Sequence, residues 1–540
     1  MYSYGIDLGT TYSCIARVDE RGNVEVLKNM EGSYTTPSIV EFSGPNTVIV
    51  GDDAKEDIKL DPENVCLFIK RSMGKNTERR EYHGKAYTPE EISARILMKL
   101  VRDAETLTGD TIKDVVITIP AYFGIAERQA TQNAGKIAGL NVLALANEPT
   151  AAAIAYTRMR SSLDNKTVLV YDLGGGTFDV TVADISGGQI TIVATNGNHS
   201  LGGKDWDAEL VDFFINQYCA ETGADNSEIY DDSEAFYDFL LKAEEAKKKL
   251  TNKNSETIVI DRGPGKRAKL KVTIDEFNEI TKHLLLSTMQ LTKEVLRQAA
   301  HKRSLTGEDG FSGPPFHEII FVGGSTRMRQ VREAIKEEFG IEPQMFEPDE
   351  AVARGAAFMA AQYLFPHVES GGVGLSAEPH EDGIRQPSDK RPTRNIVFGE
   401  DVISKSYGIK AKIGGVPRIS HVIIKNDILP CSKTKTYKAD ATNQSYIEIE
   451  VYESNIMESW TDLSYGQLIT IGKLHLPAGL PKGTHIDVTF SFDNNGMLDI
   501  SATEQSQGAE CSITIKTDGL QEEDVSRMRE ESKNVKMISS

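Results

Sequence analysis

Two stretches decide how this sequence reads: Gly5-Ile6-Asp7-Leu8-Gly9-Thr10-Thr11-Tyr12-Ser13 near the N-terminus, and Tyr171-Asp172-Leu173-Gly174-Gly175-Gly176-Thr177-Phe178-Asp179 further on. Both follow the order strand, Asp, Gly, Thr. An aspartate at a strand end is fixed by the sheet, glycine lets backbone N–H groups approach a phosphate, and a threonine hydroxyl adds a donor. A lone Gly-Thr hairpin is ordinarily just a turn. Two matched copies, with Asp7 and Asp172 at equivalent positions, instead predict a clamp on one polyphosphate. Two carboxylates would then face a hydrated Mg²⁺, which keeps several waters and is held by one or two carboxylates plus phosphate oxygens. A third glycine turn, Val322-Gly323-Gly324-Ser325-Thr326-Arg327, follows another strand and suits the nucleoside end.

Other phosphate-binding designs fail on the residues. The nearest approach to a P-loop, Gly203-Lys204, is followed by Asp205 and has Asn198 where the first glycine should stand. No G-x-G-x-x-G lies between strand and helix with an acidic residue about 20 residues on, so a dinucleotide fold is unsupported.

Around these turns, residues 1–365 alternate β-branched strands (Val115 to Ile119, Val168 to Tyr171, Ile319 to Val322) with helical patterns, predicting an α/β architecture. In one helix Phe236, Phe239, Leu240, Ala243 and Leu250 form an apolar stripe, with Glu244, Lys247 and Thr251 on a neighbouring face. Residues 366–401 are rich in Gly, Pro and Ser up to 395 and read as a flexible linker. From 402 to 517 the period becomes two: Ile447, Ile449 and Val451 alternate with Glu448 and Glu450, and Ile486, Val488, Phe490 and Phe492 do likewise. Asp493-Asn494-Asn495-Gly496 is a hairpin turn, so this region is expected to be antiparallel β. Residues 518–540 are polar and helix-prone.

With 540 residues, 39% apolar and 26% charged, the chain is expected to fold as several units. Its 60 basic and 80 acidic side chains give a net charge of −20, which argues against nucleic acid or an anionic membrane as partner. The five cysteines lack paired spacing, as expected of isolated thiols in a reducing compartment. No signal peptide or membrane-length apolar run is visible, and a cytoplasmic location is expected.

Beyond the two hairpins, the segments FIKRSMG (68–74), VVITIPAYF (115–123), NEPTAAAIAY (147–156), LGGKDWD (201–207), FVGGSTR (321–327) and PDEAVARGAA (348–357) resemble those of the seventy-kilodalton heat-shock protein chaperones, whose ATPase belongs to the actin-like superfamily. The wording is closest to divergent bacterial members. The resemblance implies an actin-like (ribonuclease H-like) two-lobed ATPase followed by a β-sandwich, with ATP/ADP and Mg²⁺ as ligands. Extended apolar segments of unfolded proteins would be clients, and a J-domain co-chaperone and a nucleotide-exchange factor would be partners. It further implies that Thr10, Thr11 and Thr177 bind phosphate, with Gly9, Tyr12, Gly174, Gly175, Gly176 and Gly323 around them. Lys70 would reach the γ-phosphate and attacking water, and Glu148 and Asp172 would orient that water and the metal shell. Asp7 and Asp179 would complete the pocket. Adenosine would lie against Gly202, Gly203, Glu244, Lys247, Lys248, Thr251, Gly324, Ser325, Arg327 and Asp349. Lys204 stands where the family usually has Glu.

In the second region the resemblance places Ile409, Tyr437, Ile447 and Ile449 in a peptide pocket, with Ile413 and Asp440 arching over it. Asp440 replaces a small apolar residue and either disfavours acidic clients or points to water. The family's leucine-rich linker strand corresponds to Val397-Phe398-Gly399-Glu400-Asp401, where Gly and Glu are expected to weaken docking on the ATPase. Pro120 and Arg128 match relay positions between the two parts. Residues 518–540 would be the start of a truncated helical lid, giving fast peptide exchange. Two rivals stay open: a phosphotransferase of the same superfamily, against which the β-sandwich speaks, and a nucleotide-dependent binding module for one dedicated partner.

Overall fold

The strands Tyr2–Asp7 and Lys166–Leu173, which lead into the two hairpins, occupy equivalent places in two sheets built alike. Tyr2–Asp7 pairs antiparallel with Tyr12–Asp19 on one side and parallel with Asp114–Ile119 on the other, and the latter is parallel to Asn141–Asn147. Lys166–Leu173 pairs antiparallel with Phe178–Ser186 and parallel with Glu318–Val322, which is parallel to Gln344–Met345. Central strands covered on both faces read as near-continuous apolar runs, as in Val168–Tyr171 and in Val115–Ile119, where Thr118 is the one polar residue. The computed structural model describes residues 2–75, 77–159, 165–186, 189–303, 316–365, 397–493, 496–513 and 520–538.

The alanine-rich helices Glu148–Met159 and Ala351–Leu364 pack together, and their buried faces join one core with side chains from both sheets, Val116 and Ala144 from the first and Val170 and Ile320 from the second. A Cβ at Gly355 would fall 1.8 Å from the carbonyl oxygen of Ala151, so glycine is what lets these helices approach so closely. The helix Ser233–Leu250 buries Phe239, Ala243 and Leu250, the expected stripe, in the core beneath the second sheet.

Residues 406–513 form two antiparallel sheets of five and four strands. Ile409, Ile449 and Val451 of the first meet Ile486, Val488, Phe490 and Ile500 of the second in one core. The strands either side of the expected turn pair antiparallel, with Phe492 opposite Leu498; residues 494 and 495 of the turn lie outside the described residues. All five cysteines are free. Among the described residues no helix is long and apolar enough to cross a membrane.

Two expectations change. Most of the linker, 366–396, lies outside the described residues, but Val397–Val402 is a strand, not free coil. It lies parallel to Gln189–Asn198, with Val397 opposite Gln189, Phe398 opposite Ile190 and Glu400 opposite Thr191. The register skips Gly399, and beyond it Asp401 and Val402 pair with Leu429 and Ile428. Strand addition uses main-chain groups, so Gly399 is absorbed as an irregularity and the loss of leucines does not prevent pairing. The second change concerns the C-terminal segment. Its helix, Glu522–Ser532, packs on the helix Ile125–Ile137, and Lys536–Met537 pairs parallel with the strand Thr47–Val50, so its packing is against elements of residues 1–365.

Candidate functional site

The two hairpin turns face each other across a cleft of about 560 Å³. They interlock: a Cβ on Gly175 would lie 2.0 Å from the hydroxyl of Thr11, and one on Gly176 would lie 2.3 Å from the methyl of Thr10, so bare backbone is required at both. The carbonyls of Gly174 to Thr177 in the second hairpin are all occupied. Gly174 accepts from the Gly203 N–H and the Ser325 hydroxyl, Gly175 from the Lys204 N–H, Gly176 from the Arg71 guanidinium, and Thr177 from the Gly174 N–H. The N–H groups of Gly175, Gly176 and Thr177 meet no acceptor among the described residues. In the first hairpin Gly9 and Thr11 likewise give their carbonyls to the Ser38 hydroxyl and N–H. Backbone donors left over on two opposed turns are an anion cradle.

Below the cradle lie three buried carboxyls, Glu148, Asp172 and Asp179, one half-buried carboxyl, Asp7, and one buried ammonium, Lys70. Lys70 follows Phe68, whose left-handed backbone (φ 59°) turns the short helix Ile69–Ser72 inward, and its Nζ donates to Glu148 Oε1 at 2.5 Å. Thr118 donates to Asp7, and the Ala121 N–H donates to Asp179, whose other oxygen is buried without a partner. Burial, then the Glu148 charge, pushes the Asp7 carboxyl up to about 7; the same causes hold Asp172 and Asp179 well above the usual carboxylate range. So much buried negative charge fits a hydrated divalent cation. Among the described residues no cluster of three or more His, Cys, Asp or Glu is placed to grip an ion directly.

Of the predicted nucleotide residues, the cleft is lined by Asp7, Gly9, Thr10, Thr11, Tyr12, Lys70, Glu148, Asp172, Gly174, Gly175 and Thr177, and, at the other end, by Glu244, Lys247, Lys248, Thr251, Gly323, Gly324, Ser325, Arg327 and Asp349. Gly176, Asp179, Gly202 and Gly203 stand behind this lining. Gly202 backs onto the Gly176–Thr177 peptide, and the Gly203 carbonyl accepts from Lys247, which also pairs with Asp207 at 2.7 Å. Arg327 pairs with Asp349 at 2.6 Å.

Sequence reasoning missed two parts of this site, Lys55 and Arg71, and noted a third, Lys204, without giving it a place. Lys55, on the helix Asp52–Asp57, bridges the cleft mouth to Glu244 (2.8 Å) and the Tyr12 hydroxyl (2.9 Å). Burial alone would raise the Glu244 carboxyl, but Lys55 and Lys248 hold it down to about 2. Arg71 grips Asp205 with both nitrogens while holding Gly176. Lys204 lines the cleft over the Phe68 ring, 4.7 Å away, and burial, then Arg71, lowers its ammonium to about 8.

In the β region, Ile409 and Ile449 are core residues, with Ile447 and Tyr437 half-buried beside them; the Tyr437 hydroxyl donates to Ser420. Ile413 is half-exposed, and exposed Asp440 pairs with exposed Lys412, so its charge is spent at the surface. The Pro120 carbonyl accepts the Phe123 N–H, and buried Arg128 donates to the Phe123 carbonyl and to Asn147 Oδ1. Asn147 in turn donates to Asp401 of the linker strand at 2.7 Å. Nearby, Gly124 faces the buried Lys405–Glu453 pair, and Lys425 reaches Asn196 at 2.9 Å.

Two phosphate hairpins at the turns of two like-built sheets define an ATPase with a polar cleft between its halves. A family model described as Hsp70 protein matches residues 3–82 and 75–538. Among curated proteins, the chaperone protein DnaK of Thermotoga neapolitana is 38% identical over 537 residues, covering 98% of this chain and 83% of the relative. That of Thermotoga petrophila is 38% identical with the same coverage, and that of Thermosipho africanus is 37% identical over 540 residues. The chain belongs to the Hsp70 family. It is an ATP-dependent chaperone with ATPase activity, and nucleotide is its ligand.

Proposed function

We propose that residues 1–365 are the ATPase domain, residues 402–517 the peptide-binding β-sandwich, and the cleft between the hairpins the place where Mg²⁺-ATP is hydrolysed slowly to ADP and phosphate. The observation that carries this is the pair of opposed turns whose carbonyls are occupied, with the N–H groups of Gly175, Gly176 and Thr177 left without an acceptor among the described residues. In this reading the backbone of Thr10, Thr11, Gly175, Gly176 and Thr177 orients the phosphates, and Lys70 carries its positive charge to the transferring group, where phosphoryl transfer needs neutralisation rather than covalent help. Asp7 and Asp172 would hold Mg²⁺ through water; when bound, it neutralises charge on the phosphates. Glu148, held by the Lys70 ammonium, orients the attacking water, and Asp179 fixes the 120–123 turn through the Ala121 N–H.

Ile409, Ile413, Tyr437, Ile447 and Ile449 are assigned to gripping an extended apolar peptide, with Pro120 and Arg128 relaying the state of the nucleotide cleft. Family membership supports unfolded clients, a J-domain co-chaperone, a nucleotide-exchange factor and a cytoplasmic location. Single-turnover ATP hydrolysis with Mg²⁺ and with EDTA, in the parent and in Asp172→Asn, tests the site. Hydrolysis is expected to require Mg²⁺ and to fall sharply in the variant. Parent-like hydrolysis in EDTA would remove the ion assignment, and absence of ATP binding would remove the cleft.

A further inference from the structure

Cations line the cleft from both sides, and nearly all of them are spoken for. Lys70 is paired with Glu148, Lys55 and Lys248 with Glu244, Lys247 with Asp207, and Arg327 with Asp349. Lys204 lines the same cleft, yet among the described residues its ammonium has neither a carboxylate partner nor a hydrogen-bond acceptor. The adjoining carboxylate, Asp205, is already taken: Arg71 grips it at 3.1 and 2.6 Å, and it accepts the Gly202 N–H at 2.7 Å.

The position of this spare cation is set from two directions. Lys204 belongs to the first turn of the helix Gly203–Thr222, which is bonded to the second hairpin: the Gly203 N–H donates to the Gly174 carbonyl at 2.9 Å and the Lys204 N–H to the Gly175 carbonyl at 2.8 Å. Its main chain is thereby held one hydrogen bond from the anion cradle. Its side chain crosses to the other half of the cleft, where Nζ lies 4.7 Å from the centre of the Phe68 ring. Phe68 is the residue whose left-handed turn sends the helix Ile69–Ser72, and with it Lys70, inward. The ammonium therefore hangs between the glycine hairpin and the helix that carries Lys70, on the phosphate side of the cleft. Burial, then the like charge of Arg71, lowers it to about 8, as expected of a half-buried cation without a counterion.

We propose that Lys204 is a further phosphate-binding residue of this chain: its ammonium binds the terminal phosphate of ATP and so favours ATP over ADP. The proposal rests on the assignment of the cleft to Mg²⁺-ATP. The paired cations can come fully to a phosphate only by leaving a carboxylate uncompensated. Lys204 gives up no more than the face of one ring, a weaker contact than a charge-assisted bond to a phosphate oxygen. Charge points to the terminal group in particular. The hairpin N–H groups are neutral donors, Asp7 and Asp172 would be offset by Mg²⁺, and Lys70 is offset by Glu148, so the additional negative charge that distinguishes ATP from ADP meets Lys204 as the uncommitted cation. A compact ammonium on a flexible stem also suits a group that arrives and later departs.

Calorimetric titration of the full chain with Mg²⁺-ADP and with a non-hydrolysable Mg²⁺-ATP analogue, in the parent, Lys204→Gln and Lys204→Arg, tests this. Loss of one charge-assisted hydrogen bond in Lys204→Gln is expected to weaken the ATP analogue about tenfold and ADP less than about twofold. Lys204→Arg, which keeps the charge, should recover most of the loss. Because the side chain is half-exposed, the nucleotide-free denaturation midpoint of Lys204→Gln should match that of the parent, showing an intact fold. An unchanged affinity for the ATP analogue in Lys204→Gln would overturn the proposal. Equal losses for the analogue and for ADP would overturn it too, leaving Lys204 as a bridge between the second hairpin and Phe68. A parent that binds neither nucleotide would instead remove the cleft assignment beneath it.

Discussion

Replacing Lys70 with alanine separates two roles that the structure gives one ammonium. Its Nζ is 2.5 Å from Glu148, and the two side chains are 5% and 10% exposed, so solvent cannot replace the lost charge. Removing one member of a buried pair typically costs about 3–5 kcal/mol. An orphaned carboxylate can escape by taking up a proton, which for an ordinary glutamate at pH 7 costs about 4 kcal/mol, so the loss should settle at about 3–4 kcal/mol and shrink toward acid pH. Chemistry should suffer separately. Loss of one preorganised charge at the transferring phosphate is expected to slow single-turnover hydrolysis about 10²–10³-fold, with ATP still bound. The double variant Lys70→Ala, Glu148→Gln distinguishes the two effects: it should regain most of the stability, since no uncompensated charge remains, and none of the hydrolysis. Denaturant midpoints and rapid-quench turnover read the two quantities. Parent-rate hydrolysis in Lys70→Ala would falsify the assignment of Lys70 to the phosphate, and a double variant less stable than the single one would refute the buried-charge account.

Asp7, raised from the ordinary 3.8 to about 7, binds its proton more tightly folded than unfolded, so it contributes a fall in nucleotide-free stability as pH rises from about 4 to 7, by up to about 1.4 kcal/mol per pH step. Denaturation of parent and Asp7→Asn across that window should show a shallower decline in the variant; equal slopes would count against it. Lys55→Ala removes the bridge to Glu244 across the cleft mouth. The pair is about a quarter exposed, so roughly 1 kcal/mol is at stake, and ADP dissociation in stopped flow should accelerate about fivefold. Ile447→Asp, at a half-buried position beside the β core, should weaken binding of a leucine-rich peptide by fluorescence anisotropy without changing basal ATPase; equal affinity in variant and parent removes Ile447 from the groove.

The turns were legible because their chemistry is local: Asp, Gly and Thr within a few residues specify a strand end, a close approach and a donor. The strands 115–119, 168–171 and 319–322 were legible as apolar runs, and the β region by its alternation. What escaped the sequence is contact between distant segments. Lys55 and Glu244 stand 189 residues apart, and nothing near either announces the other. The pairing of the linker strand was not legible because side chains were weighed where the pairing is main chain. The tail helix hid its packing because Val525 and Met528 alone, among many charged residues, make too narrow a stripe to register as amphipathic. Asp440 could be narrowed only to two readings, and Lys412, on a neighbouring part of the surface, decides between them.

The route from nucleotide to linker is short in the chain. Asn147 and Glu148 are consecutive, one ending a strand and the other starting a helix; Glu148 reaches Lys70 in the cleft while Asn147 holds Arg128 and Asp401. Asp179 grips Ala121, the residue after Pro120, so the turn carrying the Arg128 acceptor Phe123 is anchored on the cleft's buried carboxylates. A phosphate and its cation would redistribute charge among Glu148 and Asp179, and a tightly packed core answers such a change by switching arrangement rather than by stretching. Docking of Val397–Val402 meanwhile rests on a main-chain ladder that tolerates Gly399 and Glu400. If these residues relay the cleft's state, leverage over the coupling lies less in the apolar side chains the linker lacks than in Asn147, Arg128 and the linker's own Asp401, where a substitution strands a buried polar group and costs about 1–3 kcal/mol, as much as a typical coupling free energy.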